Sequence, residues 1–350
     1  MATLTEVSFY TRRVIKGTVI IIILLMIAPV VIRIGKTIYK RLNPEPPPPP
    51  TVKYGKLPVL RFPPAPSREN PKFKLETIQG SLPKMPEQGN VYVVGFNQSR
   101  LLEFQRVKDR AAKMGFPGEP ITTDELTYTW VDSGRISSLV VNIVSGKWSY
   151  SYNWRTDPTL LIPQEVPAAN RATDKARGFL GQMSALAKDV IGGEVKVKYL
   201  IASPDGETRE APSFSEANFV RVDIFRAAIG DVPFVTAGGE TSPINVVMNS
   251  TKEKGKPNIV QANYNYSVGV EGESATYPLK PIEQAWSELT KGEGYLTKYL
   301  PEVTVRKIHL AYYESDEPQE FIQPVYVFSG DSGFMGYVPA VADEFIQNST

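Results

Sequence analysis

The chain has 350 residues, 39 Lys and Arg against 37 Asp and Glu for a formal net charge of +2, no cysteine and one histidine. Disulfides, thiolate metal sites and cysteine nucleophiles are therefore excluded, and a lone His309 rules out His-rich zinc sites. Residues 1–50 hold seven basic and two acidic side chains, leaving 32 basic and 35 acidic in the other 300, so nucleic acid is not an expected partner.

After a short tail over 1–13, Gly17 to Ile32 (GTVIIIILLMIAPVVI) carries no charge. Gly17, Ile20, Leu24, Met26 and Ile32 mark a segment that is apolar on every helical face. A bilayer core takes about 17–25 residues, so the predicted transmembrane helix extends over 14–39, with Lys16, Arg33 and Lys36 snorkelling to the headgroups. The run exits into Arg33, Lys36, Lys40 and Arg41 rather than a small-residue cleavage site, which predicts retention as an anchor in the lipid bilayer. Basic residues before and after the run nearly balance, so charge alone does not orient it. A proline-rich spacer follows over 40–71, with eleven prolines from Asn43 to Pro71. Its Pro46–Pro50 run predicts a polyproline II rod of roughly 15 Å. Tyr54 to Phe62 (YGKLPVLRF) is more hydrophobic than a linker and is expected to lie along the folded surface.

A first α+β domain is predicted over 72–160. It opens with strands KFKLETI and VYVVGF (Val91 to Phe96), then a helix through LLEFQRVKDRAAKM, capped by Asn97 or Ser99 and stopped by Gly115. Strands ELTYTWV, SLVVNIV and KWSYSYNW follow, the last alternating aromatic residues with Ser and Asn in the period-two pattern of a half-buried strand. Ser145-Gly146 supplies its hairpin turn. A second α+β domain is predicted over 161–350. Ala169 to Val190 reads as a helix ended by Gly192-Gly193, followed by strands EVKVKYLIA, NFVRVDIFRAAI, INVVMN and IVQANYNYSV. A shorter helix over Pro281 to Lys291 stops at Gly292 and precedes strands VTVRKIHLAYYE, FIQPVYVFSG and GFMGYVPAV.

Catalytic chemistry finds little support. Asp132-Ser133-Gly134 and Asp331-Ser332-Gly333 evoke aspartic-protease turns, but Arg135 follows the first and Ser329-Gly330 precedes the second. Both fall between predicted strands, where Asp-Ser-Gly is hairpin chemistry. Gly330 to Gly333 also resembles a serine-protease nucleophile loop, yet His309 lies only 23 residues upstream in a predicted strand. Ala237-Gly238-Gly239 lacks the lysine and hydroxyl of a phosphate loop. Glu314 to Glu317 lacks the glycine and ligand spacing of an EF-hand and reads as a solvated turn. No catalytic, cofactor-binding or metal residues, and no cofactor, are expected. Trp148, Tyr150, Tyr152 and Trp154 form the candidate aromatic binding face, on a strand where half the side chains are free to meet a protein or glycan.

YPLKPIEQAWSEL (Tyr277 to Leu289), IHLAYYE (Ile308 to Glu314) and QPVYVFSG through GYVPAV (Gln323 to Val341) resemble PepSY-like units of the extracytoplasmic YycH/YycI regulatory family, with an echo over Leu101 to Trp154. The resemblance implies one N-terminal anchor, a cytoplasmic N-terminus, tandem domains outside the membrane and an accessory role beside a membrane sensor kinase. It carries no catalytic residues. The expectation is thus an α+β protein: an N-terminal transmembrane helix, then tandem PepSY-like units of a helix packed on antiparallel strands. Its expected function is non-enzymatic, binding or regulating a membrane or envelope protein partner. The alternatives are an envelope hydrolase or protease inhibitor and a purely structural envelope component. A cleft gathering Asp132, Asp331 or Ser332 with His309 would favour the enzyme.

Overall fold

In the computed structural model the chain divides into Met1–Pro49 and Pro50–Thr350. The described residues are 17–18, 25–36, 39, 48–64, 70–95, 100–134, 136–162, 165–183, 186–203, 205–249 and 257–347. In the first unit Gly17 is helical, as is the stretch 25–36 that contains Met26 and Ile32; Ile20 and Leu24 lie outside the described residues. Residues 14–16, 19–24, 37 and 38 of the expected span lie outside the described residues. No helix among the described residues is long and apolar enough to cross a membrane, which corrects the expected transmembrane helix over 14–39.

The second unit is mostly β. Its first strands are β1 (Lys72–Leu75), β2 (Gln88–Val94), β3 (Ile121–Thr122), β4 (Thr127–Asp132), β5 (Ser137–Asn142) and β6 (Trp148–Tyr152). Then come β7 (Val195–Ala202), β8 (Thr208–Glu210), β9 (Phe219–Ile224), β10 (Phe234–Val235), β11 (Ile244–Met248) and β12 (Ile259–Tyr264). The last are β13 (Gly269–Pro278), β14 (Tyr295–Leu296), β15 (Glu302–Tyr313), β16 (Phe321–Gly330) and β17 (Met335–Pro339). The helices are α1 (Arg100–Lys113), α2 (Ala169–Met183), the one-turn α3 (Lys188–Ile191) and α4 (Ile282–Lys291). The single helix predicted over Ala169 to Val190 is thus two.

Nine strands form one sheet in the order β3-β4-β5-β6-β12-β11-β9-β7-β8. Eight form the other, with β1-β15-β16-β17-β14 in order, β10 paired to β15, and β2 joining β13 to β16. The expected tandem units, each a helix on the strands that follow it, do not form. Lys72 of β1 pairs with Glu302 of β15, and Tyr150 of β6 pairs with Ala262 of β12. A domain boundary at residue 160 therefore runs through the nine-stranded sheet, and residues 72–94 belong to the same sheet as 269–339. Period-two patterning identifies a strand but says nothing of which distant strand completes its ladder.

Each sheet buries one face against helix. In α2, Ala172, Ala176, Leu180 and Met183 recur at helical spacing and are buried with Val107 and Ala111 of α1 against the nine-stranded sheet. In α4, Ile282, Ala285 and Leu289 are buried on the eight-stranded sheet, and Gly292, at φ +84, closes the helix in the left-handed conformation that glycine adopts without a Cβ clash. The later part of the proline-rich spacer joins this core. Leu57 is fully buried and Leu60 nearly so, and Leu57 N–H donates to the Phe345 carbonyl at 2.8 Å.

Candidate functional site

Strand β6 (WSYSY) sends alternate side chains to opposite faces. Trp148 and Tyr150 point at the helices, where Tyr150 lies 5.4 Å from the Phe179 ring and 6.2 Å from Phe116, and Trp148 stacks near Tyr264 at 6.1 Å. They are 4% and 7% exposed, so the aromatic row expected to form a binding face is core. Tyr152 is half-buried, and Trp154 has left the strand for a short 3-10 turn, packed on Phe219 at 5.2 Å with Arg155 over its ring.

The opposite face carries the intervening residues, and at one end of it the short 3-10 turn Pro158–Leu161 buries Leu160 with Phe219 and Val247. Ser149 and Ser151 of β6 sit across from Asn263 and Gln261 of β12, and Ser138 of β5 sits across from Ser151. Asn263 pairs in turn with Asn245 of β11, which pairs with Asp223 of β9. The rungs are hydrogen-bonded: Ser138 Oγ to Ser151 Oγ at 2.9 Å, Asn263 Nδ2 donating to Asn245 Oδ1 at 3.2 Å, and Asn245 Nδ2 donating to the Ser242 carbonyl at 2.8 Å. Arg221 closes one side with a two-pronged contact, Nε to Asp223 Oδ2 and Nη2 to Asp223 Oδ1, each 2.9 Å. Asp223 is fully buried and also accepts the Ser242 N–H at 2.9 Å, so the two charges are committed to each other and the carboxylate to the backbone as well.

Two hollows lie on this face. The upper one, about 500 Å³, is floored by Asn142, Ser149, Asn245 and Asn263 and walled by the 236–243 loop, Lys147, Asn265 and Asp316. The lower one, about 660 Å³, runs over Ser138, Ser151 and Gln261 to a rim of Val131, Ile136, Trp154 and Arg155. Ile136 has φ +51, an uncommon left-handed conformation for a β-branched residue. In the upper wall Lys147 Nζ donates to the Ser315 carbonyl at 2.8 Å, and burial pushes its ammonium down from the ordinary lysine range, against the pull of Glu314 and Asp316. Asn265 Nδ2 donates to Asp316 Oδ1, and Asn265 Oδ1 is buried with no partner among the described residues.

A buried ionic cluster holds this wall to the eight-stranded sheet. Arg226, between β9 and β10, is 5% exposed and lies between the Phe234 and Tyr266 rings at 4.0 and 4.4 Å. Its Nε donates to Asp189 Oδ2 at 2.8 Å; its Nη1 donates to Glu314 Oε1 at 3.2 Å and to the Ser267 carbonyl at 2.9 Å. Burial pushes the Glu314 carboxyl up, while Arg226, the Ser267 N–H and Lys147 pull the other way. The turn expected to be solvated is therefore split: Glu314 and Ser315 are buried, Asp316 and Glu317 exposed.

The residues that would have marked an enzyme are dispersed. Asp132 ends β4 of one sheet, whereas Asp331 and Ser332 follow β16 of the other, where Arg306 holds the Asp331 carboxyl below its usual range by hydrogen bond and charge. His309 lies in β15 opposite Val327, and burial with the Lys307 charge brings its imidazole down to about 4. No group of three or more His, Asp or Glu suited to a metal ion occurs among the described residues. The serine and carboxamide rows are what sequence reasoning missed, although their signal was present. In QANYN the carboxamides alternate with buried residues as strictly as the serines do in WSYSY.

No protein-family model and no curated protein sequence matches this chain. A solved structure of an uncharacterized protein from Eubacterium rectale ATCC 33656, refined at 1.45 Å, is 10% identical, with 72% of this chain and 82% of that one covered at a TM-score of 0.37. That likeness is too slight to define a shared fold.

Proposed function

We propose that this chain is a non-catalytic binding protein that engages a protein partner through the open polar face of its nine-stranded sheet. The observation that carries the reading is the contrast on one strand: Trp148 and Tyr150 buried, Ser149 and Ser151 facing a walled hollow. In the same reading the protein acts at the cell membrane, and the partner is a membrane or envelope protein. The test places a photo-crosslinking amino acid at Ser151, at Gln261 and, as a control outside the hollows, at the fully exposed Ile78. A discrete adduct in the membrane fraction from the first two positions and none from Ile78 is the expected result. Adducts that do not distinguish the three positions, or none at all, overturn the reading.

A further inference from the structure

The two hollows differ in what their charges are free to do. In the upper one Arg221 is paired with Asp223, and Lys147 donates to the backbone carbonyls of the 315–317 turn. In the lower one Arg155 forms no ion pair among the described residues. Its guanidinium lies over the Trp154 ring, 5.6 Å from the centroid, and Gly206, at φ +91, lacks the Cβ that would meet Arg155 Nε. The one acidic residue described in the same lining, Asp132, already accepts the Gly134 N–H at 3.0 Å. Asp132 pairs with Ser137 and Ser137 with Tyr152, which sets that carboxylate's strand two spacings, about 10 Å, from β6 and the turn that carries Arg155.

The lower hollow also exposes apolar side chains. Val131 is 56% and Ile136 51% exposed, and Trp154 is half-buried beside them. Ile136 is held at φ +51, which glycine adopts freely and a β-branched residue only under strain. Its carbonyl accepts the Asn153 N–H at 2.9 Å, tying the turn to the end of β6, but half of its side chain stands in water, so burial within this chain does little to offset the strain. Trp and Arg are the residues on which interface energy concentrates once a partner desolvates them.

We infer that the lower hollow receives an acidic side chain of the protein partner set beside an apolar one, with the carboxylate on Arg155 and the apolar group against Val131, Ile136 and Trp154. This rests on the binding reading above and names what the partner presents there. A guanidinium offers the planar pair of N–H groups that a carboxylate accepts two at a time. A basic segment would bring like charge to Arg155, and a purely apolar one would bury the guanidinium without a counter-charge. An acidic sugar would match the charge and leave Val131 and Ile136 against hydroxyls.

The probe is an array of ten-residue peptides with blocked termini, each carrying one Asp or Glu beside a Leu, Ile or Phe. Matched sets replace the acid by its amide or by Lys, or offer only a free C-terminal carboxylate, and acidic oligosaccharides complete the array. All are challenged with the full-length protein. Acidic peptides are expected to be retained, with a loss of about tenfold or more when the acid becomes the amide, as removal of a charge-assisted pair requires. Arg155→Glu, an exposed substitution, is expected to lose them and to retain the Lys-bearing counterparts instead. Ile136→Gly fits φ +51 and removes the apolar contact, so retention should weaken while the urea midpoint stays level or rises. Retention that ignores the amide or Arg155→Glu, retention of the C-terminal or oligosaccharide sets alone, or no retention overturns the inference. Full retention by Ile136→Gly, or a lowered midpoint in it, does the same. An adduct from Ser151 in cells alongside any of these results would leave the binding face standing and remove only the acidic anchor; absence of the adduct removes the face itself.

Discussion

Trp148 and Ser149 are neighbours in the chain, yet the indole is packed between Phe179 and Tyr264 while the hydroxyl faces an open hollow. The same holds for Tyr150 against Ser151 and for Ala262 against Asn263. One face of the nine-stranded sheet is covered by α1 and α2 and filled with aromatic and branched side chains; the other buries a smaller apolar cluster of Leu160, Phe219 and Val247 at one end and is lined by hydroxyls and carboxamides over the hollows. The inner face gains stability from apolar area removed from water. The outer face gains little of that, and its polar rungs satisfy one another while leaving a concave surface. Stability and recognition are thereby assigned to alternate residues of the same strands.

The sharpest way to break that division is to substitute adjacent residues. Trp148→Ala leaves a large cavity against α2 and is expected to cost about 3–5 kcal/mol, read from the urea midpoint at unchanged slope. A loss below about 1 kcal/mol would mean that the inner face does not carry the core.

A comparable effect is expected at the junction that holds the outer hollow's wall. Arg226→Ala strands the buried Glu314 without its cation, at a cost of about 3–5 kcal/mol. Adding Glu314→Gln should recover part of that loss, since the two side chains are in contact; strictly additive costs would contradict the coupling.

A smaller effect comes from the eight-stranded sheet, away from both faces. His309 takes up a proton near pH 6.5 when unfolded and only near about 4 when folded, because burial and Lys307 disfavour its charge. Between these values the unfolded chain binds more protons, so stability falls as pH drops from about 6.5 towards 4, by about 3 kcal/mol at most. His309→Gln should flatten that limb of a thermal-stability profile. An unchanged limb would assign the acid sensitivity to other groups.

Much of this division was legible in the sequence, though with its faces misassigned. The alternation in KWSYSYNW announced a two-faced strand, and the aromatic row drew attention because Trp and Tyr are common at interfaces. What decides the matter is α2, whose Phe179 ring packs on Trp148 and Tyr150. Nothing within β6 reveals which face a helix 20 residues later will cover. Sheet partnership was hidden for the same reason. β1 and β15, or β6 and β12, each look complete as strands, and only tertiary packing brings Lys72 to Glu302 and Tyr150 to Ala262. Local features were read more faithfully: α4 ends at Gly292 as its glycine demands, and Ser145-Gly146 turns the hairpin between β5 and β6.

The smallest stability effect is the most discriminating. Ser149→Ala removes one half-buried hydroxyl from the floor of the upper hollow and creates no cavity in the core. Its cost should stay within about 0.5 kcal/mol, as for most substitutions away from packed or ionic features. The matched change one residue earlier, Trp148→Ala, should differ from it by several kcal/mol although both lie on β6. If Ser149→Ala instead unfolds the protein as Trp148→Ala does, the outer face is structural and the hollow is an incidental product of packing. If it leaves the urea midpoint unchanged while the Ser151 adduct weakens, the outer face is free to be used by a partner because the inner face alone sustains the sheet.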